Sequence, residues 1–186
     1  MNSIKYRNLE FTKNNIYVIF GDNGVGKTTF LTSIFLFKKC FNENIYYDGK
    51  STDSLSRSEK NKLQRNMIFM KSKGNLLDFL TVKENLEYFK IDPGIINKTK
   101  FLEKKPNELS GGEEQISSLS LLFQKDKEVL LLDEITSFMD QENESKAKEI
   151  LHELKKDRII IFTTHDIRFR MDDVINVNLK EVLSFH

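Results

Sequence analysis

Cysteine occurs once in the 186 residues, at Cys40, which excludes an internal disulfide and a multi-thiolate zinc site and suits a reducing compartment. A surplus of one charge is missing too: 29 Lys plus Arg stand against 28 Asp plus Glu. So neutral a field argues against nucleic acid or anionic lipid as the partner. Long apolar runs are lacking. The most apolar stretch, Phe30 to Phe37, is broken by Thr32 and Ser33 and falls far short of the roughly 20 residues a bilayer requires. The opening MNSIKYRNLE has no apolar run after its basic residues, so no secretory signal is expected and the cytosol is the expected compartment. The sequence has no repeat, low-complexity tract or Pro/Gly-rich linker, and 39% hydrophobic residues suffice for one core in one domain.

What is present reads as alternating strands and helices. Ile16 to Phe20 is a run of β-branched and aromatic residues, predicted as a buried strand, and it ends at Gly21. From Lys27 to about Lys39 the apolar residues recur at helical spacing. Asn44 to Tyr47 predicts a second strand turned at Asp48-Gly49, and the charged stretch Ser51 to Arg65 a solvated helix or loop. Met67 to Met70 resumes a strand. Thr81-Val82-Lys83-Glu84 has the spacing of a capping box opening a helix to about Phe89, which Pro93-Gly94 breaks. A helix rich in Leu and Ser runs up to Gln124. The last third alternates: strand Glu128 to Leu132, helix Gln141 to Lys156, strand Arg158 to Thr163, helix Ile167 to Asp172, strand Val174 to Val177. Such alternation predicts right-handed crossovers onto a largely parallel sheet.

Gly21-Asp22-Asn23-Gly24-Val25-Gly26-Lys27-Thr28 lies between the first predicted strand and helix and fits G-x-x-x-x-G-K-[ST]. Its four fixed positions coincide by chance in well under about one sequence in a hundred of this length. Glycines let consecutive backbone N–H groups converge on phosphate oxygens, and the helix starting near Lys27 points its positive end at the same anion. The Lys27 ammonium can reach the β- and γ-phosphates, and the Thr28 hydroxyl can ligate Mg²⁺.

Asp133 and Glu134 follow the apolar strand Val129 to Leu132, at the sheet edge where open α/β folds bind ligands. Asp133 would hold Mg²⁺, and Glu134 is placed to accept a proton from water attacking the γ-phosphate. An acidic strand end alone says little. Together with the phosphate loop it specifies a nucleotide-hydrolysing site.

Leu109-Ser110-Gly111-Gly112-Glu113 is a motif that phosphate-loop chemistry does not require, and it resembles the signature of the ATP-binding cassette (ABC) ATPases. LTVKENL (Leu80 to Leu86), LLLDE (Leu130 to Glu134), the loop Ser137 to Asp140 and TTHD (Thr163 to Asp166) agree in order and spacing, so the resemblance spans Asn8 to Val177. It implies an α/β P-loop NTPase fold: a mostly parallel sheet flanked by helices, a small antiparallel portion and an inserted helical subdomain. Residues 1–71 and 128–186 would form the core, and about 72–127 the helical insert. It further implies a head-to-tail pair of cassettes sandwiching two ATP molecules. Asn23, Gly24, Val25, Gly26, Lys27, Thr28 and Thr29 would hold one nucleotide, while Ser110, Gly111 and Gly112 of the partner cassette close on it in trans. His165 matches the histidine that contacts the γ-phosphate beside Glu134; His152 and His186 read as ordinary residues.

Some positions depart from the family pattern. Ser72 stands where relatives carry a Gln that contacts Mg²⁺ and senses the membrane partner, so it is a third candidate for the metal, flanked by Lys71 and Lys73. Relatives place an aromatic that stacks on adenine a couple of dozen residues before the first loop glycine. Here twenty residues precede Gly21, with Tyr6 and Phe11 the aromatics on offer, so the phosphates are expected to dominate recognition. Ile116 replaces a basic residue and Ile135 a proline. The implied function is that of an ATP-hydrolysing transporter subunit on the inner face of the membrane, powering export, of a peptide or bacteriocin, through separate permease chains. Rival readings are a soluble ABC ATPase and a regulatory cassette with weak hydrolysis.

Overall fold

A computed structural model describes residues 1–36, 44–96, 101–135, 140–165 and 173–184. Two sheets organise these residues. The first is antiparallel, in the order β2 (Leu9–Thr12), β1 (Ser3–Tyr6), β4 (Ile45–Tyr47), β5 (Lys50–Ser51). The second is parallel, in the order β6 (Met67–Met70), β7 (Val129–Asp133), β8 (Ile159–Thr164), β3 (Asn15–Phe20), β9 (Val174–Asn178). All six β8 residues, and β7 as far as Leu132, are buried. Unbroken apolar runs such as Val129-Leu130-Leu131-Leu132 suit strands covered on both faces.

Helices supply the covers. α1 (Lys27–Ile34) packs on one face, in a core that includes Tyr6, Phe11, Phe30, Leu31 and Leu131. α3 (Val82–Tyr88), α4 (Gly111–Ser120) and α5 (Gln141–Leu154) pack on the other with Val18, Leu130, Leu132 and Phe162. α2 (Arg57–Arg65) buries no residue, as its polar sequence predicts, and α6 (Leu179–Ser184) closes the described chain. No helix among the described residues is long and apolar enough to cross a membrane.

The predicted strands appear within a residue or two of their expected bounds. The first helix is shorter than expected: α1 stops at Ile34, and Leu36 takes a left-handed φ of 64° that cannot continue a right-handed helix. Residues 37 to 39 of that predicted helix, Cys40, Ser137 to Met139, the predicted helix Ile167 to Asp172 and His186 lie outside the described residues. β1, β2, β5 and α6 have no counterpart in the sequence reading.

Candidate functional site

The C-terminal ends of β3, β7 and β8 are adjacent in the sheet, and each carries part of the site. After β3 the chain turns at Asp22, whose carbonyl accepts from the Val25 N–H at 3.2 Å, and enters α1 through Gly26. Gly26 sits at φ 102°, a conformation that L side chains rarely adopt, and its carbonyl accepts the first helical bond, from Phe30 at 2.8 Å. Asp22, Asn23, Gly24, Thr28 and Thr29 are exposed, while Lys27 is buried. The Lys27 ammonium donates to the carbonyls of Gly21 (2.8 Å) and Asp22 (3.2 Å), so it is folded onto the loop it belongs to. A glycine-bearing loop leading into a helix N-terminus, with a lysine beside it, is the kind of segment that binds anions.

Beside it, both oxygens of Asp133 are engaged. Oδ2 accepts from the Thr28 hydroxyl at 2.7 Å and Oδ1 from the Thr163 hydroxyl at 2.7 Å. These bonds tie the start of α1 to the ends of β7 and β8, residues 105 and 30 positions apart in the chain. A hydroxyl and a carboxylate side by side are hard oxygen donors of the kind Mg²⁺ takes. Glu134 follows in the left-handed region, φ 53°, a strain on the order of 1 kcal/mol for a residue with a Cβ. Its N–H is held by Thr163, donating to the hydroxyl at 3.1 Å and to the carbonyl at 3.2 Å. The carboxylate lies near His165, whose Nδ1 is 3.7 Å from Oε1. His165 is exposed and Glu134 half-buried, as groups that must meet solvent and ligand would be.

Ser110 opens α4 as its N-cap. Its hydroxyl accepts from the Glu113 N–H at 3.3 Å while the Glu113 carboxylate accepts from the Ser110 N–H at 2.8 Å, a reciprocal capping box. The bond from the Ser110 N–H, helped by Lys104, holds the Glu113 carboxyl below its ordinary range. Ser110 and Gly111 are exposed. Gly112 has a different constraint: a Cβ there would lie 2.2 Å from the Asn143 side-chain nitrogen of α5, so any larger residue requires that side chain to move.

Of the predicted site residues, the structure joins Thr28 and Asp133 by a hydrogen bond and brings Glu134 near His165. It sets Lys27 at the start of α1, bonded back to the adjoining loop. Ser110, Gly111 and Gly112 head a separate helix and have no bond to the loop. Ser72 makes no hydrogen bond to Thr28 or Asp133; it lines a small crevice with Asn75, Gln115, Ser118 and Ile135. Tyr6 and Phe11 cannot stack on a base, because both are buried and pack edge-on against Phe30 and Tyr17. Thr163 is the residue the sequence reading left without a role. Its place directly opposite Asp133 follows from the parallel register of β7 and β8, and its position in TTHD was the only local sign.

Comparison with known proteins gives a consistent picture. Residues 4–137 match the family model described as ABC transporter. MacB, the macrolide export ATP-binding/permease protein of Bartonella henselae, is 30% identical over 200 residues, covering 97% of this chain and 30% of the relative. The chain thus spans about a third of that relative's length. The ABC transporter ATP-binding protein YclH of Bacillus subtilis is 27% identical over 193 residues, covering 93% of this chain and 84% of the relative. MJ0796 of Methanocaldococcus jannaschii is 27% identical over 187 residues, covering 89% of this chain and 80% of the relative. The dimeric structure of that cassette superimposes with a TM-score of 0.68 at 25% identity, covering 87% of this chain and 79% of the other.

Proposed function

The chain belongs to the ABC transporter family of ATP-hydrolysing cassettes, and from that premise we propose how its own residues divide the work. The phosphate loop, Asn23 to Thr29, binds the β- and γ-phosphates of ATP through its N–H groups and the α1 terminus. Lys27 gives up the Gly21 and Asp22 carbonyls for phosphate oxygens, exchanging neutral acceptors for charged ones. Thr28 and Asp133 would hold Mg²⁺, which when bound would neutralise phosphate charge. Thr28 must then turn its lone pair, not its proton, to the site.

Glu134 is the base. It takes a proton from a water whose oxygen bonds to the γ-phosphorus as the bond to the β–γ bridging oxygen breaks, a contribution of roughly a hundred- to ten-thousand-fold in rate. His165, beside that carboxylate, contacts the γ-phosphate and orients the water. Ser110, Gly111 and Gly112 of a second copy or close cousin cover the same phosphate, so ATP holds a head-to-tail dimer together. The observation that carries this reading is the pair of bonds through Asp133, which tie Thr28 of the phosphate loop and Thr163 of β8 to the acidic strand end.

Membrane-spanning chains are the proposed beneficiaries, with export the direction and a peptide or bacteriocin the cargo; the likeness to MacB supports export. Phe79 and Tyr88, 71% and 65% exposed at the two ends of LTVKENL, offer apolar anchors for a permease loop. The protein would then sit on the inner face of the membrane through that partner. Two measurements test the proposal. Glu134→Gln should trap an ATP-bound dimer and cut phosphate release at least about a hundredfold; an unchanged release rate refutes the base assignment. Recovery from detergent extracts only as a dimer without a membrane chain refutes the transporter assignment.

A further inference from the structure

β6 is the neighbour of β7 on the side away from β8, and Met70 ends it opposite Leu132. Lys71 is therefore the next residue in line beside Asp133. Side chains alternate between the two faces of the sheet: Met67, Phe69 and Leu131 pack on the α1 side, Ile68, Met70 and Leu132 on the other. Carried one residue further, the alternation puts Asp133 on the α1 face, where it bonds Thr28, and Lys71 on that same face. Neighbouring strands lie about 4.8 Å apart, a span that a lysine's flexible four-carbon stem covers.

Although Lys71 lies beyond the strand, its backbone is clamped. Its N–H donates to Asn75 Oδ1 at 3.1 Å and its carbonyl accepts from Asn75 Nδ2 at 2.7 Å, so one amide side chain holds both polar groups. Gly74, at a left-handed φ of 73°, lets the chain double back for this clip. Ile135, directly after Glu134, lies against the same loop. The Lys71 side chain is exposed and has no ion-pair partner among the described residues. A fixed backbone under an uncommitted ammonium is arranged to deliver charge to a chosen place. The phosphate loop enters from β3 and the proposed base stands at the end of β7, so the terminal phosphate points to the β7 side of the row, with β6 beyond it.

We propose that Lys71 binds the γ-phosphate of ATP from the side opposite Lys27, and that Asn75 is the positioning residue that aims it. This rests on the ATP-binding reading above and adds a division of labour to it. Lys27, in the phosphate loop, serves the phosphates that ADP and ATP share. Lys71 reaches the terminal phosphate alone, so it distinguishes the triphosphate from the diphosphate.

The test is calorimetric binding of ADP, and of a non-hydrolysable ATP analogue, to the full chain with magnesium. Lys71→Ala should weaken the triphosphate about tenfold, the scale of one charge-assisted bond near solvent, and leave ADP within about twofold, which also checks the fold. Lys71→Arg keeps the charge and should stay within about threefold of wild type for both. Asn75→Ala should lower the triphosphate preference severalfold, and Lys71→Ala/Asn75→Ala should lose no more of it than Lys71→Ala does, because Asn75 acts only through the lysine. No loss in Lys71→Ala, equal losses for both nucleotides, or the same loss in Lys73→Ala overturns the proposal; additive losses in the double variant overturn the positioning by Asn75. A wild-type chain that binds neither nucleotide would refute the ATP reading itself, a result distinct from all of these.

Discussion

Thr163 shows how much one hydroxyl can organise. It donates to Asp133 Oδ1 and accepts from the Glu134 N–H, so it orients the proposed metal ligand and holds Glu134, the proposed base, in its left-handed turn. Thr163 is fully buried, and Thr163→Val keeps shape and volume while removing both bonds. The Glu134 N–H keeps only the Thr163 carbonyl, and Asp133 loses one of two partners. Groups that orient metal ligands are worth about 10- to 100-fold in affinity or activity when removed. Thr163→Val should therefore lower magnesium-dependent turnover by about that factor, while Thr163→Ser stays within a few-fold of wild type. Equal turnover in the Val and Ser variants would show that the hydroxyl only packs.

At the scale of elements, three helices begin with the same device, and it titrates. Ser56–Glu59, Thr81–Glu84 and Ser110–Glu113 are capping boxes in which each carboxylate accepts from a backbone N–H. All three carboxyls are held below the ordinary Glu range: Glu59 by the Ser56 hydroxyl and then its N–H, Glu84 by the Thr81 N–H, Glu113 by the Ser110 N–H. A depressed folded-state value means stability is fully present above the unfolded value, about 4.3, and is lost as pH falls through the depressed values. Glutamine keeps the box without the charge. Thermal midpoints of Glu59→Gln/Glu84→Gln/Glu113→Gln should lie below wild type near pH 7 and fall less steeply between about pH 5 and 3, so that the two converge in acid; parallel acid limbs would rule the boxes out as contributors.

The same elements show what could be read in advance. Thr81-x-x-Glu84 was legible as a capping box, whereas Ser110-x-x-Glu113 carries the same spacing and was read as a signature motif ahead of a helix, its capping box passed over. β1 and β2 escaped notice because Ser-Ile-Lys-Tyr and Leu-Glu-Phe-Thr are four residues each, and β1's other partner, β4, lies some 40 positions away. Such pairing is written in no local window. α1 ended early without a glycine or proline to announce it, since Phe35 and Leu36 continue the apolar run and only the turn at Leu36 stops the helix. The phosphate loop and Asp133-Glu134 were legible because their chemistry is contiguous in sequence. Thr163's role was not, because it depends on which strand lies beside β7.

For the whole molecule, the site sits where the parallel sheet, the loop before α1 and the strand ends on both sides of β8 converge, so ligand binding couples to global stability. A ligand that binds only the folded state stabilises it by RT ln(1 + [L]/Kd), about 2.7 kcal/mol at a hundred times Kd. For a chain of 150 to 250 residues 1 kcal/mol corresponds to about 2–4 °C in Tm, so saturating ATP with magnesium should raise the midpoint by roughly 5–10 °C. Glu134→Gln, which keeps the nucleotide uncleaved, should show the full shift, and its midpoint should rise further with protein concentration as the dimer forms. Lys27→Ala removes the ammonium that now rests on Gly21 and Asp22 and should abolish the shift while leaving the nucleotide-free midpoint close to wild type, since no buried ion pair is broken. A midpoint in Lys27→Ala that still climbs with ATP and magnesium would mean that the nucleotide is gripped elsewhere.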